Sequence, residues 1–156
     1  KENKDIMLLY RPHPFFYGAF MKEYSNNKEL IDEYNNIINN SENIVYDDSE
    51  DYLVSIHVSD FMISDASSLV PEYLIYGKPI IYTKKNNATG FNNKELESLL
   101  YTCNNEKKVI EYIEMLLKGN DYLESDRKNK LCKIFNFDNN LEVSDKIINL
   151  ITKNFE

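Results

Sequence analysis

The sequence predicts an α/β fold, in which a Rossmann-like parallel sheet has flanking helices and a helical C-terminal cover. Short apolar runs typical of buried parallel strands alternate with segments whose apolar residues recur at helical spacing. A polar turn rich in Pro, Asp, Ser or Lys follows each run. Strands that alternate with helices pair in parallel through right-handed crossovers, so these observations favour this fold class.

The first part of the chain supplies two strands and two helices. Residues 6–10 form a continuous apolar run that ends at the Arg-Pro-His-Pro turn of residues 11–14, because proline cannot continue a strand ladder. Residues 28–40 place their apolar side chains on one helical face. A short strand over 43–46 and a short helix over 52–57 follow, separated by an acidic turn.

The middle of the chain repeats the pattern. An apolar strand over 61–64 leads into an Asp-Ala-Ser-Ser turn at 65–68, in which either serine is a candidate N-cap for the next helix. Gly77 ends that helix, and residues 79–82 form a fourth strand. Helical patterns dominate afterwards, and we expect further helices near 94–101, 106–117, 126–135 and 141–153.

Composition excludes several classes of protein. The 156 residues, 42% of them hydrophobic, suffice for one domain with its own core. A net charge of −8 argues against broad binding of nucleic acid. The two cysteines, Cys103 and Cys132, have no paired spacing, so neither a zinc site nor a disulfide scaffold is expected and a reducing cytoplasm is the default. No apolar run approaches the roughly 20 residues of a membrane span.

Polar clusters follow all four predicted strands. They occupy residues 11–14, 47–51, 65–68 and 83–85. In open parallel sheets ligands bind outside the carboxyl ends of the strands. We therefore expect the ligand-binding site of this chain to be assembled from these clusters.

Two of the clusters have chemistry suited to phosphate. Prolines on both sides of His13 hold its imidazole rigidly beside Arg11, an arrangement that suits a phosphate or a structural turn histidine equally well. Ser67 and Ser68 precede a helix, where they either bind phosphate with the helix amides or simply cap the helix. Glu72 either accepts hydrogen bonds from ligand hydroxyls or is a solvated glutamate near a helix start.

The other polar features favour structural interpretations. The acidic turn at 47–51 lacks the spacing of a calcium loop, and we expect helix capping by Asp48 or Ser49 there. His57 lies among apolar neighbours of a helix and is interpreted as structural. No metal site and no cofactor is expected.

Four blocks of sequence, in this order, carry a family resemblance. They are Arg-Pro-His-Pro-Phe at 11–15, Ile-Val-Tyr-Asp-Asp-Ser at 44–49, the strand and Asp-Ala-Ser-Ser turn at 59–68, and the Glu-Tyr-Leu to Lys-Pro-Ile-Ile-Tyr segment at 72–82. Together they resemble the CDP-glycerol glycerophosphotransferase family of teichoic-acid polymerases, which have the GT-B fold.

The resemblance implies that residues 1–156 are a single domain, the C-terminal, donor-binding half of a larger two-domain enzyme. It implies that His13, with Arg11, binds the donor pyrophosphate and serves catalysis, and that Ser67 and Ser68 hold phosphate. The resemblance also implies roles for two acidic residues. Glu72 would lie near the ribose or glycerol, and Asp65 would fix the turn more than touch substrate.

The resemblance also implies partners and a location. The donor would be CDP-glycerol or a related CDP-alditol, and the acceptor a polyol-phosphate polymer or a lipid-linked primer. Transfer would release CMP at the cytoplasmic, inner face of the cell membrane, which parts of the protein outside this chain would contact. The chain begins at Lys1, close to a strand, so we expect a fragment of something longer.

Two other classes of function stay open on the sequence. One is a GT-B sugar-nucleotide glycosyltransferase or epimerase domain, which uses a sugar nucleotide in the same kind of site. The other is a receiver-like signalling domain, which needs an acidic pair at the end of its first strand. Here that strand ends in Arg-Pro-His at residues 11–13, which disfavours the receiver.

Overall fold

The computed structural model of the chain describes residues 6–85 and 90–135. They fall into two compact units, one within Lys1–Ser59 and the other within Asp60–Glu156. The predicted helix at 141–153 lies outside the described residues. Each unit combines parallel strands with helices, which confirms the predicted α/β class.

The first unit contains a two-stranded parallel sheet and three helices. Its elements in chain order are β1 (Leu8–Tyr10), α1 (Phe16–Glu23), α2 (Lys28–Asn40), β2 (Ile44–Tyr46) and α3 (Leu53–Val58). Leu8 lies opposite Ile44 and Tyr10 opposite Tyr46. Helix α2 has the predicted bounds, and its start is fixed by the Asn27 side chain, which accepts a hydrogen bond from the Leu30 N–H at 3.1 Å.

The helix α1 was not predicted. None of its residues is buried, and its eight residues are fewer than the roughly 11 to 18 over which helical periodicity is normally recognised. Instead, aromatic rings one turn apart stack along it, with the Phe16 and Phe20 centroids 5.8 Å apart.

The second unit contains a three-stranded parallel sheet in the order β3-β4-β5. Its elements are β3 (Met62–Ser64), α4 (Leu69–Ile75), β4 (Ile80–Thr83), α5 (Lys94–Glu97), β5 (Tyr101–Cys103), α6 (Glu106–Leu117) and α7 (Glu124–Ile134). Met62 lies opposite Ile80, and Ile81 lies opposite Tyr101. Gly77 ends α4 with a φ of +72°, as its position in the sequence predicted.

The helix predicted over 94–101 is wrong in its second half. Helix α5 ends at Glu97, and the chain continues into β5, whose Tyr101 and Cys103 are buried on either side of the exposed Thr102. A short apolar run such as Leu99 to Tyr101 fits a strand or a helix equally well. Residues 101–103 form a strand in the tertiary structure, because β4 offers them a hydrogen-bonding edge.

The core of the second unit lies around β4. Ile80, Ile81 and Tyr82 are fully buried in this strand, which is the behaviour expected of a central parallel strand. Helix α6 packs Ile113 and Leu116 against the cluster that contains Ile81, and helix α4 buries Val70, Tyr73 and Leu74. In the parts of the chain that the structure describes, no helix is both long enough and apolar enough to cross a bilayer.

Candidate functional site

The polar clusters lie at the carboxyl ends of strands in both units, as the sequence predicted. In the first unit, Arg11 and His13 follow β1, and Asp47 follows β2. In the second unit, residues 65–68 follow β3 and residues 84–85 follow β4. The ends of parallel strands share one edge of a sheet, so within each unit the clusters face a common edge.

Arg11 and Asp47 form the centre of a hydrogen-bonded network in the first unit. The Arg11 guanidinium lies 2.9 Å from a carboxylate oxygen of Asp47 and donates to the Ser49 carbonyl oxygen at 2.6 Å. Asp47 also accepts from the Ser49 hydroxyl at 2.5 Å and from the Ser55 hydroxyl. The bonds from Ser49 and Ser55, with a smaller contribution from Arg11, hold the pKa of the Asp47 carboxyl well below its usual range.

This network corrects the expectation for the acidic turn. We expected Asp48 or Ser49 to cap the following helix. Instead Tyr52 occupies the N-cap position without a side-chain bond, and the Leu53 N–H donates to a carboxylate oxygen of Asp51 at 2.9 Å. Ser49 is used to hold Asp47, so the turn anchors the Arg11 side chain from the neighbouring strand.

His13 is exposed beyond the end of β1, and its protonated nitrogen can be assigned from its contacts. The Phe15 backbone N–H donates to His13 Nδ1 at 3.2 Å, so Nδ1 acts as an acceptor. In the neutral ring the proton then lies on Nε2, which is left to donate to a ligand. The Phe15 ring lies beside the imidazole, with centroids 5.4 Å apart. Local geometry thus presents His13 as a fixed hydrogen-bond donor.

The serine turn of the second unit is organised by its own hydroxyls. The hydroxyl oxygens of Ser64 and Ser67 lie 3.3 Å apart, and the Val70 N–H donates to the Ser67 carbonyl oxygen at 3.3 Å. Ser68 occupies the N-cap position of α4 and is exposed, but its side chain makes no capping bond. The prediction that one of the two serines is the N-cap residue is confirmed at Ser68, although its hydroxyl makes no capping bond.

The two acidic residues near this turn lie in different surroundings. Glu72 lies in the first turn of α4 and is half-buried. Asp65 is exposed, and a carboxylate oxygen lies 3.6 Å from Nζ of Lys85 at the end of the neighbouring strand. This contact joins the ends of β3 and β4. A surface pair of this kind contributes little to stability, so it does not restrain Asp65 strongly.

A cleft lies beyond the ends of β4 and β5, and the sequence predicted only the wall that residues 83–85 form. It has a volume of about 460 Å³ and is lined by Thr83, Lys84, Lys85, Cys103, Asn104, Asn105, Glu106 and Val109. Lys84 Nζ bonds a Glu97 carboxylate oxygen at 2.6 Å, a contact that raises the pKa of Lys84 and lowers that of Glu97. The sequence did not predict the wall of the cleft that Asn104, Asn105 and Glu106 form, because the sequence pattern of β5 fits a helix as well as a strand.

The strand-end side chains of each unit, taken separately, suit an anionic ligand. An imidazole N–H, serine hydroxyls and lysine ammonium groups are all donors to phosphate oxygens. Among residues 6–85 and 90–135, no group of three or more His, Cys, Asp or Glu side chains is placed to hold a metal ion.

Comparison with known proteins gives one match. The family model described as CDP-glycerol:poly(glycerophosphate) glycerophosphotransferase matches residues 1–153. Searches of curated proteins and of solved structures each return no match. The family match covers the strand-end clusters of both units.

Proposed function

Because the chain belongs to the CDP-glycerol:poly(glycerophosphate) glycerophosphotransferase family, we propose that it is the donor-binding half of such an enzyme. The enzyme would transfer an alditol phosphate from CDP-glycerol, or a related CDP-alditol, to a teichoic-acid or similar cell-surface polymer. The observation that supports the proposal is the extent of the family match, residues 1–153, which contains every strand-end cluster. The second half of a GT-B enzyme would close the site from the other side.

The reaction is a phosphoryl transfer that the strand-end residues can assist. A hydroxyl oxygen of the acceptor attacks the β-phosphorus of the donor, and a new phosphorus–oxygen bond forms. The bond from that phosphorus to the oxygen bridging to the α-phosphorus breaks, and CMP leaves. The acceptor hydroxyl gives its proton to a base, which we assign to the missing half. Fixed donors stabilise the negative charge that develops on the phosphoryl oxygens.

His13 is the residue of this chain that we place at the reacting phosphate. Its Nδ1 is held by the Phe15 N–H, which leaves Nε2–H to donate to a phosphoryl oxygen. Ser67 and Ser68 would bind the donor phosphates at the start of α4, and Glu72 would accept hydrogen bonds from ribose or glycerol hydroxyls.

We assign Arg11 a positioning role in addition to phosphate binding. Its guanidinium is already paired with Asp47 at 2.9 Å and donates to Ser49. It therefore retains less free charge for the donor than an unpaired arginine would. By fixing the residue two positions before His13, the Arg11–Asp47 pair holds the imidazole at the strand end.

We place the full enzyme at the inner face of the cell membrane, because its polymer acceptor would be attached there. In this proposal the contact with the membrane surface belongs to parts of the protein outside this chain.

The first test replaces His13 in the complete enzyme. We expect His13→Ala to lower the rate of CMP release by on the order of a hundredfold, as for the loss of one preorganised donor. His57→Ala is the matched control, since it removes an exposed histidine from α3 of the same unit. Wild-type turnover in a folded His13→Ala enzyme would refute the assignment.

The second test uses the 156-residue chain alone. We expect no acceptor-dependent CMP release from it, because half of the cleft is missing. We expect it to retain weak affinity for CMP or CDP-glycerol, stronger than for UDP-sugars. Steady CMP release would contradict the half-enzyme proposal, and preference for a UDP-sugar would favour a sugar-nucleotide transferase.

A further inference from the structure

The first unit contains a second cleft that the proposed donor site does not use. It has a volume of about 310 Å³ and lies between α1, α2 and the end of β2. That volume lies at the lower end of the range for small-molecule sites, enough for a single ring. Its walls are three tyrosines, two asparagines and one isoleucine: Tyr17, Tyr34, Asn35, Ile38, Asn39 and Tyr46.

The tyrosines provide flat and partly uncovered walls. Tyr17 and Tyr46 are 43% and 46% exposed, although both are large aromatic side chains. Tyr34 packs against rings of α1, with its centroid 6.3 Å from that of Tyr17 and 4.9 Å from that of Phe20. Tyr46 packs against Tyr10, with centroids 5.9 Å apart. The walls are thus supported from behind by packed rings, so a ligand does not have to order them.

The hydroxyl of Tyr34 is already satisfied inside the protein. It lies 3.1 Å from the Tyr10 hydroxyl, and burial together with this bond raises the pKa of Tyr34. Tyr34 therefore stays protonated and neutral, and its ring serves as an apolar surface.

The asparagines supply hydrogen bonding in both directions. Asn35 and Asn39 are one turn apart on α2, so their amides lie on the same face of the helix. The Tyr17 hydroxyl lies 3.5 Å from Oδ1 of Asn35, which leaves the Asn35 NH₂ group for a ligand. An amide both donates and accepts, which matches a ligand with several hydroxyl groups.

The charge of the cleft selects against phosphate. None of its lining side chains is ionised near neutral pH, and the chain as a whole carries a charge of −8. A phosphate group placed there would find no cation to replace its water. Aromatic faces with amide rims instead suit the C–H faces and the hydroxyl edges of a sugar ring.

We propose that this cleft binds a neutral sugar ring. Its place in the fold connects it to the reaction, because Tyr46 directly precedes Asp47, and Tyr10 directly precedes Arg11. The assignment of that ring to a sugar carried by the acceptor rests on the proposed function. The binding itself depends on the tyrosines and asparagines alone.

The test measures binding of neutral methyl glycosides to the 156-residue chain by ligand-observed NMR. Methyl glucoside, methyl galactoside and methyl N-acetylglucosaminide are the probes, and glycerol 3-phosphate is the anionic comparison. We expect Tyr46→Leu to weaken glycoside binding about tenfold, as for the loss of one stacking ring. Tyr24→Leu is its control, because Tyr24 is an exposed tyrosine of the same unit outside the cleft.

The amides are tested by a second pair of variants on α2. We expect Asn39→Ala to weaken glycoside binding several-fold and Asn36→Ala, which replaces an exposed asparagine of the same helix that does not line the cleft, to leave it unchanged. Absence of binding by all three glycosides would overturn the proposal, as would binding that survives Tyr46→Leu or a preference for glycerol 3-phosphate. Glycoside binding that persists although the complete enzyme fails to use CDP-glycerol would refute the proposed function and leave this inference standing.

Discussion

Replacement of the buried Arg127 by leucine should destabilise the second unit. Arg127 has no exposed surface. Its Nε donates to the Gly77 carbonyl oxygen at 3.0 Å, and its guanidinium pairs with Asp121. Asp121 in turn accepts from the Tyr101 hydroxyl at 2.6 Å. The network therefore ties α7 to the end of α4 and to β5.

The size of the effect follows from what Arg127→Leu leaves behind. Breaking a buried ion pair by removing one partner costs about 3–5 kcal/mol. Two features place this case near the lower value. The Asp121 side chain keeps 19% of its surface in water and retains Tyr101. One guanidinium nitrogen of Arg127, Nη1, is buried without a hydrogen-bond partner, so its removal also relieves a desolvated group.

Urea unfolding followed by circular dichroism measures this effect. With an m value of about 2 kcal/mol/M, a loss of about 3 kcal/mol lowers the midpoint by about 1.5 M. Lys128→Leu is the matched control, because Lys128 makes an exposed pair with Glu124, worth roughly 0.3–0.5 kcal/mol. A double-mutant cycle with Asp121→Leu isolates the pair. Equal midpoints for Arg127→Leu and Lys128→Leu would show that the network does not stabilise the fold.

The remaining predictions concern the Asp47 network and the end of α4. Asp47→Asn should cost about 1–2 kcal/mol at neutral pH, and Asp48→Asn almost nothing. The pKa of Asp47 is lower in the folded protein than in the unfolded chain, so the stability that its carboxylate contributes is present above the unfolded pKa near 4 and declines as the pH falls. The urea midpoints of wild type and Asp47→Asn should therefore converge in acid. A difference between the midpoints that does not depend on pH would contradict this. Gly77→Ala should lower the free energy of unfolding by about 1 kcal/mol and so lower the thermal midpoint, because φ at Gly77 is +72°. Gly18→Ala within α1 should raise the thermal midpoint, since alanine favours a helix interior; equal effects of the two changes would refute the backbone argument.

Sequence patterns predicted the elements whose signal is local. The apolar face of residues 28–40 and the Gly77 stop depend on side-chain spacing and backbone freedom, and both lie where they were expected. The strand-end position of His13 followed from the two prolines around it. The order of the four sequence blocks indicated the family, and the family model confirms it.

Elements that depend on distant partners could not be read from the sequence. Strand β5 exists because β4 presents an edge to it, and the eight-residue α1 is stabilised by ring contacts with α2, such as that between Phe20 and Tyr34. The same holds for Asp47, whose pKa depends on hydroxyls from Ser49 and Ser55 and on Arg11 from another strand.

The sequence by itself determined the α/β class, the polar strand ends and the family, because periodicity and short motifs are local properties of the chain. The tertiary structure alone decided which polar groups pair with one another. It paired Arg11 with Asp47, buried Arg127 against Gly77 and Asp121, and gathered tyrosines from α1, α2 and β2 around one cleft. Hydrogen bonds and ring contacts require groups within a few ångströms, and residues far apart in sequence reach that distance only through the fold.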